Sequence, residues 1–66
     1  MKRVKKALLD SGMTQKELAE RAGIDAAALS RIVNGRTVVY HGWASRIAEA
    51  LGWTGEVEEL FEEVAE

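Results

Sequence analysis

Apolar residues recur along this chain at intervals of three and four positions, the spacing that aligns them on one face of an α-helix. We predict five helices within a single all-α domain over residues 1–66. The helices cover about 2–10, 14–22, 25–34, 41–51 (beginning at Tyr40 or His41) and a last segment that begins at Thr54 or Gly55. Residues 35–40 are predicted to be extended and partly buried, with a short strand as the alternative.

The second and third helices are predicted to form a close pair. Ala19 has almost no side chain, so the third helix can cross close over the second. Gly23 accepts the positive φ of a sharp turn between helices, which costs most other residues about 1 kcal/mol or more. Ile24 is expected to point into the crevice between the helices. Further apolar residues close the pair onto the rest of the domain: Leu18, Ala22, Leu29 and Ile32.

Capping residues mark the ends of this pair. Thr14 followed by Glu17 forms a capping box, which places the start of the second helix at Thr14. Asp25 is a favourable N-cap for the third helix, because its side-chain oxygen accepts from backbone N–H groups and its charge suits the helix dipole. Asn34 and Gly35 both tolerate the left-handed conformation of a C-terminal stop. The third helix is therefore predicted to be about nine or ten residues long.

Composition narrows the functional classes. The chain has no cysteine, one histidine (His41) and no glycine-rich phosphate loop, so we expect no enzyme, no cofactor, no metal site and no small-molecule ligand. No apolar run approaches the ~20 residues that span a bilayer, and no signal peptide is visible, so no membrane partner is expected. The absence of cysteine is compatible with a reducing cytoplasm.

Charge is distributed unevenly along the chain. The net charge of −2 argues against a generic nucleic-acid binder. Residues 1–36, however, carry eight basic and four acidic side chains, a net of +4, whereas residues 37–66 carry one arginine and seven glutamates, a net of −6. Such a molecule can approach a polyanion in one orientation and repel it in the other.

Short motifs extend from the second helix to the end of the fourth. They are Thr14-Gln15, Glu17-Leu18-Ala19, Ala22-Gly23-Ile24, Leu29-Ser30, Ile32, Asn34-Gly35 and the run from Ile47 to Gly52. With these motifs the chain resembles the phage-repressor and Cro-like (lambda repressor-like) helix-turn-helix domains over essentially its whole length. It departs from them in having Val39 near a frequent proline position and in being more acidic than many relatives. The resemblance implies a compact five-helix domain of bacterial or phage-encoded type, cytoplasmic, that binds operator DNA, commonly as a two-fold dimer.

The resemblance also implies which residues meet double-stranded DNA. In this docking geometry the third helix, about residues 25–34, enters the major groove while the second crosses the backbone. The implied base-reading positions are Asp25, Ala26, Ala27, Ser30 and Arg31. The implied backbone contacts are Thr14, Gln15, Lys16, Asn34, Arg36, Thr37, Tyr40 and His41. The resulting prediction is a sequence-specific transcriptional regulator, most simply a repressor.

Some alternatives stay open at this point. The last helix would carry Val57, Leu60, Phe61 and Val64 as one stripe, which either completes the core or pairs with a second copy in a homodimer. Trp43 and Trp53 are expected in the core or at a subunit contact rather than as stacking platforms for single strands. The acidic C-terminal part also suits a protein-interaction module of the antitoxin or adaptor type. Clean helix caps are compatible with an engineered DNA-binding protein on this scaffold.

Overall fold

Helices account for most of the computed structural model, which describes residues 1–65. In that range the helices are α1 (Arg3–Ser11), α2 (Gln15–Ala22), α3 (Ala26–Val33), α4 (His41–Leu51) and a 3₁₀ helix (Glu58–Phe61). The bounds of α1 to α4 agree with the predicted ones to within one or two residues. Residues 35–40 form no strand, so that alternative is wrong, and only Val39 among them is partly buried. None of the helices in residues 1–65 has the length and apolar character needed to cross a bilayer.

Every helix contributes at least one fully buried side chain to a common core. These side chains are Val4, Leu18, Leu29, Val33, Ile47 and Leu60. Helix α2 packs against both α3 and α4, while α1 packs against the 3₁₀ helix and α4. The core therefore lies behind α3, and the opposite side of α3 is left facing solvent.

The predicted fifth α-helix is wrong. After one short 3₁₀ turn the chain becomes extended, and its backbone bonds to the first residues of the protein: Arg3 N–H donates to Glu62 O at 2.8 Å, and Val64 N–H donates to Met1 O at 2.8 Å. Apolar spacing does not distinguish this arrangement from a helix. Non-local backbone hydrogen bonds have replaced the local ones that a longer helix would have made. The five-helix count is corrected to four α-helices and one 3₁₀ helix within residues 1–65.

Ion pairs reinforce this contact between the two ends of the described chain. Lys2 Nζ lies 3.3 Å from Glu63 Oε1, and the N-terminal ammonium lies 3.3 Å from Glu63 Oε2. The hydrogen bond from Lys2, followed by that from the N-terminal ammonium, lowers the pKa of Glu63 below its usual value of 4.5. The aliphatic stem of Lys2 lies over Gly35, where an added Cβ would sit 3.2 Å from Lys2 Cε. The first residues thus connect the C-terminal segment with the end of α3.

Both tryptophans are half-buried and pack against the core, as one of their two predicted alternatives stated. Trp53 Nε1–H donates to Glu56 O at 2.9 Å and so shapes the turn between α4 and the 3₁₀ helix.

Candidate nucleic-acid interface

The turn between α2 and α3 has the geometry that its residues predict. Gly23 adopts a φ of +69°, and Ile24 N–H donates to Ala19 O at 2.9 Å across the turn. Ala19 and Ile24 are buried, with 3% and 7% of their surface exposed. The predicted positive φ of Gly23 is confirmed, Ala19 and Ile24 are both in the core, and the turn fixes the direction in which α3 leaves α2.

Side-chain caps close both helices at their N-termini. Thr14 Oγ1 accepts from Glu17 N–H at 3.1 Å, and Glu17 Oε1 accepts in return from Thr14 N–H at 3.3 Å, which completes the predicted capping box. Asp25 Oδ2 accepts from the N–H groups of Ala27 and Ala28 at 3.1 and 3.2 Å, which confirms the predicted N-cap. Helix α3 has eight residues, slightly fewer than predicted, and the left-handed residue after it is Gly35 rather than Asn34.

Arg46 of α4 holds the turn from the side, a contact that the sequence analysis missed. Its Nη2 donates to Gly23 O at 2.9 Å. The two residues are 23 positions apart, and no local pattern relates them. The hydrogen bond joins α4 to the turn that orients α3.

The solvent-facing side of α3 is narrow and carries few large side chains. At about 100° per residue, Ala27, Arg31 and Asn34 lie on the side opposite the buried Leu29, and Ser30 lies at the edge of that side. Ser30 is half-buried and the other three are exposed. Ala26 is exposed in the first turn of the helix, and Asp25 has one carboxylate oxygen, Oδ1, left over from capping. The predicted base-reading residues are thus accessible. Of the five, Ala27, Ser30 and Arg31 lie on or at the edge of the side opposite Leu29, whereas Asp25 and Ala26 lie at the start of the helix.

Asn34 at the end of this face is engaged within the protein. Its Nδ2 donates to Ser30 O at 2.8 Å and lies 3.5 Å from Ser30 Oγ, while its Oδ1 accepts from Lys5 Nζ at 3.3 Å. No local pattern singles out Lys5, because its partner lies 29 positions away. The bond brings an ammonium group of α1 to the C-terminal end of α3.

The remaining predicted backbone contacts form two groups along the chain, one before α3 and one after it. Thr14, Gln15 and Lys16 lie where α2 begins, and Arg36, Thr37, Tyr40 and His41 lie between α3 and the first turn of α4. All are exposed except the half-buried Gln15. The Thr14 hydroxyl also lies 3.3 Å from Glu17 Oε1, so it is partly occupied by its cap. Ion pairs within residues 1–65 engage the N-terminus, Lys2 and Lys6, and leave Lys16, Arg31 and Arg36 without a carboxylate partner in that range.

An exposed helix that leaves a tight, glycine-containing turn on a helical core defines the helix-turn-helix class of DNA-binding proteins. Residues 3–61 match the family model of the helix-turn-helix domain, and the chain belongs to that family. The family indicates DNA binding of the kind used in transcription regulation, and its domains are typically non-enzymatic. No curated protein and no solved structure matches the chain significantly.

Proposed function

We propose that this domain binds double-stranded DNA sequence-specifically, as phage-repressor and Cro-like domains do, and represses transcription by covering promoter DNA. The observation that carries the proposal is the solvent-facing side of α3, which presents small side chains and the guanidinium of Arg31. Within residues 1–65 this guanidinium forms no ion pair. A helix with so little side-chain bulk can approach base edges closely. The major groove, about 12 Å wide, accommodates such a helix.

The side chains of α3 define what bases they would prefer. Arg31 can donate two hydrogen bonds to guanine O6 and N7, a contact worth roughly 1–3 kcal/mol of discrimination. Ala26 and Ala27 offer only methyl groups, for which the thymine methyl is the natural partner. Ser30 can bond to several base edges, and the free Oδ1 of Asp25 can accept from cytosine N4.

The electrostatics of the flanking residues support the same orientation. Lys16 at the start of α2 and Arg36 three residues after the end of α3 are exposed cations. The backbone N–H groups at the start of α4 add a positive dipole end, and its N-cap residue Tyr40 makes no side-chain capping bond. These groups would contact phosphates that border the groove.

Substitution of Arg31 tests the base-reading role. A preferred site is first selected from random duplex, and binding of wild type and Arg31→Ala is then measured on that site and on random duplex. We expect a loss of about 5- to 150-fold on the preferred site, equivalent to 1–3 kcal/mol, and a much smaller loss on random duplex. Arg21→Ala, which removes an exposed arginine at the far end of α2, is the matched control. Equal losses on both duplexes would contradict base reading by Arg31.

We also propose that the domain binds its site as a homodimer. Leu60 of the predicted interface is fully buried, so it serves the core of one protomer, whereas Val57, Phe61 and Val64 are half-buried. A groove of about 280 Å³ between α4 and the 3₁₀ helix is lined by Val39, His41, Ala44, Val57, Glu58 and Phe61. This groove adjoins the connection that would meet phosphates, so a second copy there could bind the same duplex. An inverted repeat in the selected site supports the dimer, and a single unrepeated motif contradicts it.

A further inference from the structure

We propose that Lys5 of α1 contacts the DNA backbone at the C-terminal end of α3, and that Asn34 is the positioning residue that holds its ammonium group there. The inference rests on the proposed function and adds to the interface a cation from a helix outside the α2–α3 pair.

The placement follows from the face of α3 that would lie along the groove. Ala27, Ser30 and Asn34 succeed one another on that face at intervals of three and four residues. Lys5 Nζ lies 3.3 Å from Asn34 Oδ1, at the end of this row. If Ala27, Ser30 and Asn34 lie along the major groove, the sugar-phosphate backbone that borders the groove lies beyond Asn34. The ammonium group of Lys5 lies at that end.

The ammonium group of Lys5 has a different kind of partner from the other cations in residues 2–6. Lys6 Nζ lies 3.9 Å from Asp10 Oδ2, and Lys2 Nζ lies 3.3 Å from Glu63 Oε1, so carboxylates offset both charges. Arg3 Nε donates to the carbonyl of Glu59 on the 3₁₀ helix. Lys5 has a neutral amide as its partner, which leaves its positive charge and two of its three N–H donors for a phosphate.

Asn34 is oriented by α3 itself. Because its Nδ2 donates to the Ser30 carbonyl at 2.8 Å, its Oδ1 must face away from the helix, toward Lys5. The C-terminus of α3 also carries the negative end of the helix dipole, which favours an ammonium group nearby. The exposed hydrogen bond between the amide and the ammonium adds little stability by itself, so its main effect is on where the ammonium lies.

The salt dependence of DNA binding tests the role of Lys5. Lys5→Gln and the matched control Lys6→Gln each remove one charge from α1. We expect Lys5→Gln to make the negative slope of log K against log[salt] shallower by about 0.9, because one phosphate contact is lost. Binding should weaken about five- to tenfold at ~0.1 M salt, equally on preferred and random duplexes. Lys5→Arg should retain most of the slope, and Lys6→Gln should change it much less. A Lys5→Gln slope equal to that of Lys6→Gln overturns the proposal.

A double-mutant cycle tests the positioning role of Asn34. Asn34→Ala should weaken binding in the wild-type background but cause no further loss in the Lys5→Gln background, because the ammonium that it holds is then absent. Thermal unfolding of each variant checks that the fold is retained at the assay temperature. Additive losses would show that Asn34 acts without Lys5 and would overturn its positioning role.

The outcomes also separate this inference from the proposed function. If the wild-type protein shows no salt-dependent binding to duplex DNA, the proposed function fails and this inference fails with it. If the wild type binds with a steep salt slope that Lys5→Gln leaves unchanged, only the role of Lys5 is refuted.

Discussion

The α2–α3 pair and the segment after α4 are held in place by different kinds of contact. In the pair, the hydrogen bonds that set the helix ends and the turn join residues close in sequence: Thr14 with Glu17, Asp25 with the first turn of α3, and Ile24 with Ala19. The segment after α4 instead bonds to the other end of the chain, through the backbones of Met1 and Arg3. The α2–α3 pair specifies most of its conformation through local bonds, to which Arg46 of α4 adds one from outside, whereas the C-terminal segment takes its conformation from a distant partner.

This difference separates the part that would read DNA from the part that completes the core. The α2–α3 pair must keep a fixed angle between its helices, because an error there would move α3 relative to the base edges. The C-terminal segment need only cover apolar surface, which Leu60 does with no exposed area.

The first prediction compares two fully buried leucines. Leu29→Ala in α3 should lower the free energy of unfolding by about 3–5 kcal/mol, because rigid helices surround the cavity and cannot collapse into it. Leu60→Ala should cost less, about 2–3 kcal/mol, because a single 3₁₀ turn and the extended residues beyond it can shift inward. Urea unfolding followed by circular dichroism measures both.

A domain of 66 residues has little stability to lose, so Leu29→Ala is expected to be largely unfolded at room temperature. Leu29→Val and Leu60→Val serve as milder versions of the same pair. A cost for Leu60 equal to or greater than that for Leu29 would contradict the contrast between a rigid and an adjustable region.

The second prediction compares two glycines with nearly the same backbone. Gly23 and Gly52 have φ values of +69° and +72°, so Gly→Ala should cost about 1–2 kcal/mol of backbone strain at each. At Gly23 the added Cβ would also contact Arg46 Nη2, whereas at Gly52 nothing lies within 4 Å. Gly23→Ala should therefore cost about 0.5–1.5 kcal/mol more, the worth of the displaced hydrogen bond.

Repeating the comparison in an Arg46→Ala background provides the control. The two glycine substitutions should then have equal effects on the free energy of unfolding, since only strain remains. A persistent difference would mean that Arg46 does not hold the turn.

The smallest expected effect concerns Glu63, whose pKa is lowered by the hydrogen bond from Lys2 and then by that from the N-terminal ammonium. Since the folded-state pKa lies below the unfolded one, its stabilising contribution is present above pH 4.5 and is lost as the pH falls through the lowered value. Glu63→Gln should slightly lower the thermal midpoint at pH 7 but not at pH 2. Glu62→Gln removes an adjacent exposed glutamate that forms no ion pair within residues 1–65, and it should leave the thermal midpoint at pH 7 unchanged.

Local chemistry explains how much could be predicted from the sequence. Thr14, Asp25 and Gly23 act on neighbours a few positions away, so their roles and the ends of α2 and α3 follow from the residue types alone. Val57, Leu60 and Val64 have helical spacing, but backbone bonds to the start of the chain decide the outcome, and no local pattern encodes them. In the candidate interface the outward face of α3 was predictable, whereas Lys5 and Arg46 reach across the fold to partners that only the structure brings near.

The pairing of Met1 with Val64 has a consequence for the order of folding. Closing a loop of more than 60 residues costs more chain entropy than forming the short-range turns. The hairpin of α2 and α3 should therefore assemble while the two ends are still apart, and the ends should join in the last step. The surface offered to DNA would then be complete before the molecule has finished closing.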